Sequence, residues 1–493
     1  MTDALLDRMS RLCDTAARLA SDHAAARIVT DLRTRLHEPL RVAIAGRVKA
    51  GKSTLLNALV GECLAPTDAG ECTRIVTWYR NAVGYGATAH LRDGSERPLR
   101  FQRGERALEI SLDDLAPSNV DRLEVGWPSS RLEEMILIDT PGLEGLDDES
   151  STRTLRFLGL DNEGTGDVDA VIYLMRHMHH RDADFLEAFT DRSLSHPSPV
   201  NAVAILSRAD EIGAGRLDAL TSAAAIAQRY AADQRVRSLC STVIPVAGLI
   251  AETGATLREE EMAALRALVA MPASELDSML LSVDRFADPA RSPLLPRTRR
   301  DLLSRLGLFG IRFSVAEIRE DRAESAADLS RSLIAASGVE QLGDLLTERF
   351  AGRARALKAR SVLVGLKDVA HRLARDDQAA GGTLLAAVEE FESTSRELSE
   401  LRLWHLAVSG TVEFDDDDLE EIRRLTGEEG IAARLGIEGD GTGSTASEVA
   451  LRRIAHWRAR AEHPLTGREL EEACEIVARS YEALYVETLG DGP

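Results

Sequence analysis

Two spacings in this sequence could handle a phosphate and the cation that accompanies it. The first is Gly46-x-x-x-x-Gly51-Lys52-Ser53, entered from the apolar stretch Arg41 to Ala45 and left through a helical pattern at Thr54. Strand, glycine loop and helix in that order are the context a phosphate loop needs. Glycine lets successive N–H groups close around phosphate oxygens, and the helix N-terminus adds favourable partial charge. Gly46, Arg47, Val48, Lys49, Ala50, Gly51, Lys52, Ser53 and Thr54 are therefore expected to cradle a nucleoside triphosphate. Lys52 would bridge the β- and γ-phosphates, and the Ser53 hydroxyl would hold Mg²⁺. The second spacing is Asp139-Thr140-Pro141-Gly142, after an apolar run ending at Ile138. Its carboxylate is expected beside Mg²⁺ and its Gly142 N–H where it senses a γ-phosphate; the stretch 143–161 after it reads as a switch.

A third element would read the base. Ser207-Arg208-Ala209-Asp210 follows the apolar run 201–206. Asp210 is expected to accept hydrogen bonds from the guanine N1–H and exocyclic amine, a pattern adenine does not offer. Arg208 stands where a lysine is usual, and its stem can still cover a base face. Val246 and Ala247, closing the stretch Val243 to Gly248, are placed at the second base-contacting loop. GTP is thus the expected substrate and Mg²⁺ the expected cofactor. Between the first two spacings, Thr73 is chosen to close onto Mg²⁺ and the attacking water, with Thr67 as the alternative. His177-Met178-His179-His180 reads as a polar loop near the nucleotide, because no cysteine or carboxylate set with ligand spacing accompanies it. Asp182 and Asp184 are expected to cap the helix that begins there.

Composition narrows the partners. A net charge of −21 over 493 residues leaves no broad basic field, which argues against nucleic acid. Hydrophobic content of 44% and charged content of 29% describe a globular chain. The five cysteines are scattered without CxxC spacing and read as reduced thiols of a cytosolic protein. The N-terminus lacks the apolar stretch of a signal peptide, and no apolar run reaches the ~18 residues of a membrane span. Membrane contact is expected to be peripheral. Only four of the 60 basic residues are lysine, and two of those four, Lys49 and Lys52, fall inside the phosphate loop. A compact ammonium suits such a cradle better than the wide guanidinium fork.

The elements that must position these residues are legible in outline. Residues 1–38 read as helix, with Leu5, Met9, Leu12, Ala16 and Leu19 forming a narrow seam, ended by Pro39. Residues 40–45, 134–138, 169–175, 200–206 and 242–246 read as buried strands separated by helices, an α/β arrangement with a mostly parallel sheet covered on both faces. Residues 74–80 and 87–92 read as an added strand pair. From 251 onward the chain reads as helical. Leu384, Val388, Phe391 and Leu398 make one stripe, and Leu470, Cys474, Val477, Tyr481 and Leu484 repeat the N-terminal seam. The two seams are expected to pack together in a bundle. Residues 413–421 read as a solvated acidic loop, 436–447 as a flexible linker, and the run 403–408 as helix core.

The phosphate loop filled by Arg47-Val48-Lys49-Ala50, the run APTDAGECTRIVTWYR (65–80), IDTPGLEG (138–145), LSRADEIG (206–213) and the segment 337–361 resemble bacterial dynamin-like GTPases. Within them the similarity is to the shorter kind of isoniazid-inducible dynamin-like protein of mycobacteria. The resemblance implies a GTPase domain at 39–350, an N-terminal helix at 1–38 joining a neck, and a helical neck and stalk at 351–493. It implies dimerisation through GTPase faces, with a related dynamin-like protein as an alternative partner in the second reading below, peripheral lipid contact at the inner face of the plasma membrane, and membrane remodelling or maintenance. Lys49, Lys52, Thr73 and Gly142 are then assigned to catalysis, and Ser53, Thr73 and Asp139 to the metal. Dynamins usually carry a glutamine or serine and then a serine where this chain has Val48 and Lys49. Lys49 is expected either to replace a monovalent cation with its own charge or to point into solvent. The other reading is a weakly catalytic GTP-binding partner subunit, which Val48 favours.

Overall fold

The structure is a computed structural model that describes residues 4–20, 22–65, 75–104, 108–112, 114–142, 167–178, 180–191, 199–288, 293–428, 430–439 and 444–490. Thr67, Thr73, Cys72, His179 and the stretch 143–161 lie outside the described residues.

Eleven strands are described: β1 (Leu40–Gly46), β2 (Val76–Asn81), β3 (Gly86–Leu91), β4 (Glu96–Pro98), β5 (Arg100–Arg103), β6 (Leu108–Ser111), β7 (Val120–Trp127), β8 (Met135–Asp139), β9 (Ala170–Met175), β10 (Ala202–Ser207) and β11 (Val243–Val246). Nine form one sheet in the order β11-β10-β9-β1-β8-β2-β7-β3-β4, and β5 and β6 pair as a separate hairpin. From β11 to β8 every pairing is parallel. At β2 the direction reverses, and antiparallel pairings join β8 to β2, β7 to β3 and β3 to β4. The parallel half follows the expected strands. The other half corrects the expectation of a simple added pair, because β2 and β3 do not touch; β7 is inserted between them.

Every residue of β1 is buried. Alternate side chains enter opposite cores, Val42 and Ile44 on one face and Ala43 and Ala45 on the other, as the two-residue period of a strand requires. The Ala43 face is closed by helices between residues 219 and 337. The Val42 face is continuous with the apolar interior of the C-terminal helices, so sheet and helices share a core.

The N-terminal segment is two helices rather than one, Ala4–Leu19 and His23–Arg35. Asp22 ends the seam by accepting from the Ala25 N–H at 2.6 Å, and a cap of this kind starts a new helix where the old one stops. Both helices pack on Ala354–Asp376. The last helix, Arg468–Gly490, packs instead on Ser444–Ala461 and Arg396–Ser409. The two similar seams therefore meet the middle helices as their main partners. Leu398 also belongs to a different helix from Leu384, Val388 and Phe391, since Gln378–Thr394 ends before it.

The acidic run is a further correction. Asp415 caps the helix Asp416–Gly427 by accepting from the Asp418 N–H. Asp418 and Glu421 on that helix are buried, Asp418 paired with Arg460. Glu421 takes the Trp457 indole N–H at 2.7 Å and pairs with Arg453. Of the expected linker, Gly436 ends a short helix and residues from Ser444 begin another. Trp404 is helix core, as expected.

Two joints tie the neighbouring helices together, one at the sheet and one between two helices. At the end of β1 and β9 away from the phosphate loop, the buried Arg35 guanidinium donates to Asp169 Oδ1 at 3.1 Å and to Ser361 Oγ at 2.7 Å. Asp169 Oδ2 meanwhile accepts from the Arg41 N–H at 2.9 Å. Lys358 Nζ donates to the carbonyls of Leu36 and Glu38, closing the end of the second helix. At the other joint, the Arg237 guanidinium donates to the Val408 carbonyl.

Candidate functional site

The parallel strands bring their C-terminal ends to one edge, and the four motifs gather there, as ligand sites do in such sheets. β1 delivers Gly46 with φ +147°, close enough to β9 that a Cβ would stand 2.5 Å from the Leu174 carbonyl oxygen. Gly51, at φ +97°, turns the chain into the helix Lys52–Val60. Only glycine takes these angles without strain. Lys49 nonetheless sits at φ +61°. Arg47, Val48 and Lys49 are exposed, and Ala50 is buried.

Lys52 folds back into the loop, its ammonium donating to the Gly46 and Arg47 carbonyls, each at 3.3 Å. Burial holds it below the ordinary lysine range, with Asp139 opposing that shift. Ser53 Oγ donates to Asp139 Oδ2 at 2.7 Å. Burial raises the Asp139 carboxyl, while Lys52 and the Ser53 hydroxyl lower it. The second oxygen, Asp139 Oδ1, is buried with no hydrogen-bond partner among the described residues. A hydroxyl and a carboxylate with one unsatisfied oxygen are oxygen donors of the kind that suit Mg²⁺, and the lysine beside them suits a phosphate. Thr140 locks β8 to β1 by donating its hydroxyl hydrogen to the Ile44 carbonyl at 2.9 Å. Gly142 rests on the phosphate loop, where a Cβ would stand 2.4 Å from Val48 Cγ2 and 2.8 Å from Val48 Cα.

Beside the loop lies a cavity bounded by Gly51 and Thr54 on one side and Ser207, Arg208, Asp210 and Val246 on the other. Asp210 is buried, and burial pushes its carboxyl from 3.8 up to about 6. Ser207 Oγ donates to the Met175 carbonyl, fixing the start of this loop on β9. The Arg208 guanidinium donates to the Lys49 carbonyl at 2.9 Å and pairs with Glu211 at 2.5 Å.

The sequence reading needs correction at Ala247. It is fully buried and bonds the Ser337 carbonyl; Gly248 and Leu249 line the cavity in its place. Leu174, Ile205 and Glu211 also line it without having been expected. Their signal was position alone, since two sit near strand ends and Glu211 follows Asp210. Asp182, in the first turn of its helix, is buried and accepts from the Tyr173 hydroxyl at 2.7 Å. Around His177, no group of three metal-binding side chains occurs among the described residues.

A family model described as "Dynamin family" matches residues 42–191, the span from β1 into the helix His180–Asp191. Isoniazid-induced protein IniC of Mycobacterium tuberculosis is 38% identical over 456 residues, which cover 92% of this chain and 91% of that protein. The chain belongs to the dynamin family. Other dynamin relatives match only locally. A bacterial dynamin-like protein of Nostoc punctiforme is 32% identical over 28% of this chain and 20% of its own length. Isoniazid-induced protein IniA of Mycobacterium tuberculosis is 32% identical over 26% of this chain and 21% of its own. A solved oligomerised bacterial dynamin pair aligns with 99% of this chain and 92% of its own at 14% identity, with a TM-score of 0.34. Among the described residues of this dynamin-family chain, no helix is long and apolar enough to cross a membrane.

Proposed function

We propose that this chain binds GTP with Mg²⁺ and hydrolyses it, coupling turnover to self-association through its GTPase faces and to membrane remodelling or maintenance. The observation that carries the reading is the crevice where Lys52, Ser53 and the half-satisfied Asp139 meet, one loop away from buried Asp210. Ser53 and Asp139 would hold Mg²⁺, with Thr73 joining them; the ion supplies neutralisation of phosphate charge. Lys52 leaves the Gly46 and Arg47 carbonyls for the β- and γ-phosphates, so loop and lysine exchange internal bonds for ligand bonds. Backbone N–H groups from Gly46 to Thr54 enclose the phosphates. Asp210 accepts from the guanine edge while Arg208, Val246 and the neighbouring loop cover the base. Gly142 brings its N–H to the γ-phosphate without a side chain to hold it off Val48. Lys49 contributes positive charge at the loop rim, in place of a monovalent cation.

Residues 39–350 form the GTPase unit in this reading, and 1–38 with 351–493 its neck and stalk. Work at lipid would be peripheral, at the inner face of the plasma membrane. A second reading rests on Val48, which is 39% exposed and apolar at a place where water must be oriented. A chain with that side chain could bind GTP and regulate a related dynamin-like protein instead.

Turnover measured across a protein concentration series, with ATP alongside GTP, separates the two. Specific activity that climbs with concentration and is selective for GTP is expected. Tight GTP binding with flat, negligible turnover assigns the chain to the partner role, and failure to bind GTP overturns both readings. Co-sedimentation with liposomes tests the lipid contact directly.

A further inference from the structure

Four described residues other than glycine hold left-handed backbone: Lys49 at φ +61°, Arg208 at +54°, Ala214 at +62° and Asp321 at +54°. Two of them are bonded to each other. Arg208 Nη2 donates to the Lys49 carbonyl oxygen at 2.9 Å, although 159 positions separate them in the chain. Left-handed backbone is unfavourable for a residue with a Cβ, so such a conformation persists where its surroundings hold it. Here each strained residue is part of what holds the other.

The other arm of the guanidinium is also engaged. Its Nη1 meets Glu211 at 2.5 Å, and Glu211 in turn faces Arg176 at 3.8 Å. A planar fork can hold a carbonyl with one arm and a carboxylate with the other, whereas an ammonium is a single point charge. Arginine in place of lysine therefore lets the base loop grip the phosphate loop while it remains anchored in its own loop.

We infer that Arg208 is a positioning residue for the phosphate loop, holding Lys49 in the left-handed conformation from which the loop receives phosphate. This rests on the nucleotide reading above and deepens it, because covering a base requires no bond to Lys49. It follows that Arg208 acts on ligands that have no base.

Inorganic tripolyphosphate with Mg²⁺ is the probe, measured by calorimetry beside GTP on the full chain. Arg208→Ala is expected to weaken both ligands, tripolyphosphate by about tenfold, the order of one hydrogen bond to a strongly polarised acceptor. Asp210→Asn is expected to weaken GTP alone. Arg208→Lys should recover part of the tripolyphosphate loss, since its ammonium can reach the Lys49 carbonyl but cannot hold Glu211 as well. In a Lys49→Gly background the left-handed turn needs no support, so the loss caused by Arg208→Ala should shrink. Tripolyphosphate binding indifferent to Arg208→Ala, or a loss undiminished by Lys49→Gly, overturns the inference while leaving GTP binding intact. Wild-type chain that binds neither ligand overturns the nucleotide reading and this inference together.

Discussion

Ser53 donates its hydroxyl hydrogen to Asp139 Oδ2 across 2.7 Å, joining the end of the phosphate loop to the end of β8. Ser53 and Asp139, whose Oδ1 is buried without a partner among the described residues, would hold the Mg²⁺ that neutralises phosphate charge. Ser53→Ala would remove one of these oxygen donors. The gain in GTP affinity on adding Mg²⁺ should then fall by about tenfold or more, the scale of a lost bond to a charged group. Titration of a fluorescent GTP analogue with Mg²⁺ and with chelator reads that gain directly, and an unchanged gain would place the ion elsewhere.

If Asp210 reads the base, recognition should be sensitive to acid. Its carboxyl is raised by burial to about 6 from an ordinary 3.8. Only the carboxylate form accepts both guanine donors. Below that value, GTP affinity relative to Asp210→Asn should drop by about tenfold per pH unit. Stability of the ligand-free chain moves the other way. A carboxyl raised by folding favours the fold when protonated, a contribution complete below 3.8 and lost as pH rises through about 6. A ratio of the two affinities that stays flat between about pH 5 and pH 7 would contradict the assignment.

Gly142 leaves no room for a methyl group against Val48. Gly142→Ala should lower GTP turnover by about tenfold or more while changing the melting temperature little, because the displaced segment is a partly exposed loop. Adding Val48→Ala removes Cγ2 but leaves the Val48 backbone, 2.8 Å from the new Cβ at its Cα. Recovery in the double variant should therefore be partial. Full recovery would show that the side chain alone sets the distance.

Arg35 and Asp169 form an ion pair whose side chains are 3% and 2% exposed. Removing one partner strands the other charge out of water. Arg35→Ala should cost about 3–5 kcal/mol, read by denaturant unfolding of the full chain. A cost under about 1 kcal/mol would mean that the site is wet enough to screen the pair.

What could be read from the sequence divides along the reach of each signal. β1 and its loop were legible because strand, glycines, lysine and helix lie within a few neighbouring residues. β7 was missed because only Leu123, Val125 and Trp127 alternate at the strand period, Val120 is out of step with them, and charged residues at 121, 122 and 124 break any apolar run. The burial of Asp418 and Glu421 was invisible for another reason. Their partners Arg460, Arg453 and Trp457 are supplied by a helix about one linker further on, so the acidic stretch read alone looks solvated. The burial of Asp182 was equally invisible, since its partner Tyr173 points inward from a strand. Local chemistry is written locally. Charge neutralised by a distant helix is not.

Arg35 waits 326 positions for Ser361, and the helix that carries Ser361 also covers Leu32 and Leu36 of the N-terminal pair. During synthesis those first helices leave the ribosome long before their cover exists. At ordinary elongation rates the interval is on the order of half a minute, far longer than helices and hairpins need to form. These two helices are thus enclosed only after 326 further residues have been made, and in that interval their apolar seam is available to chaperones or to another nascent chain.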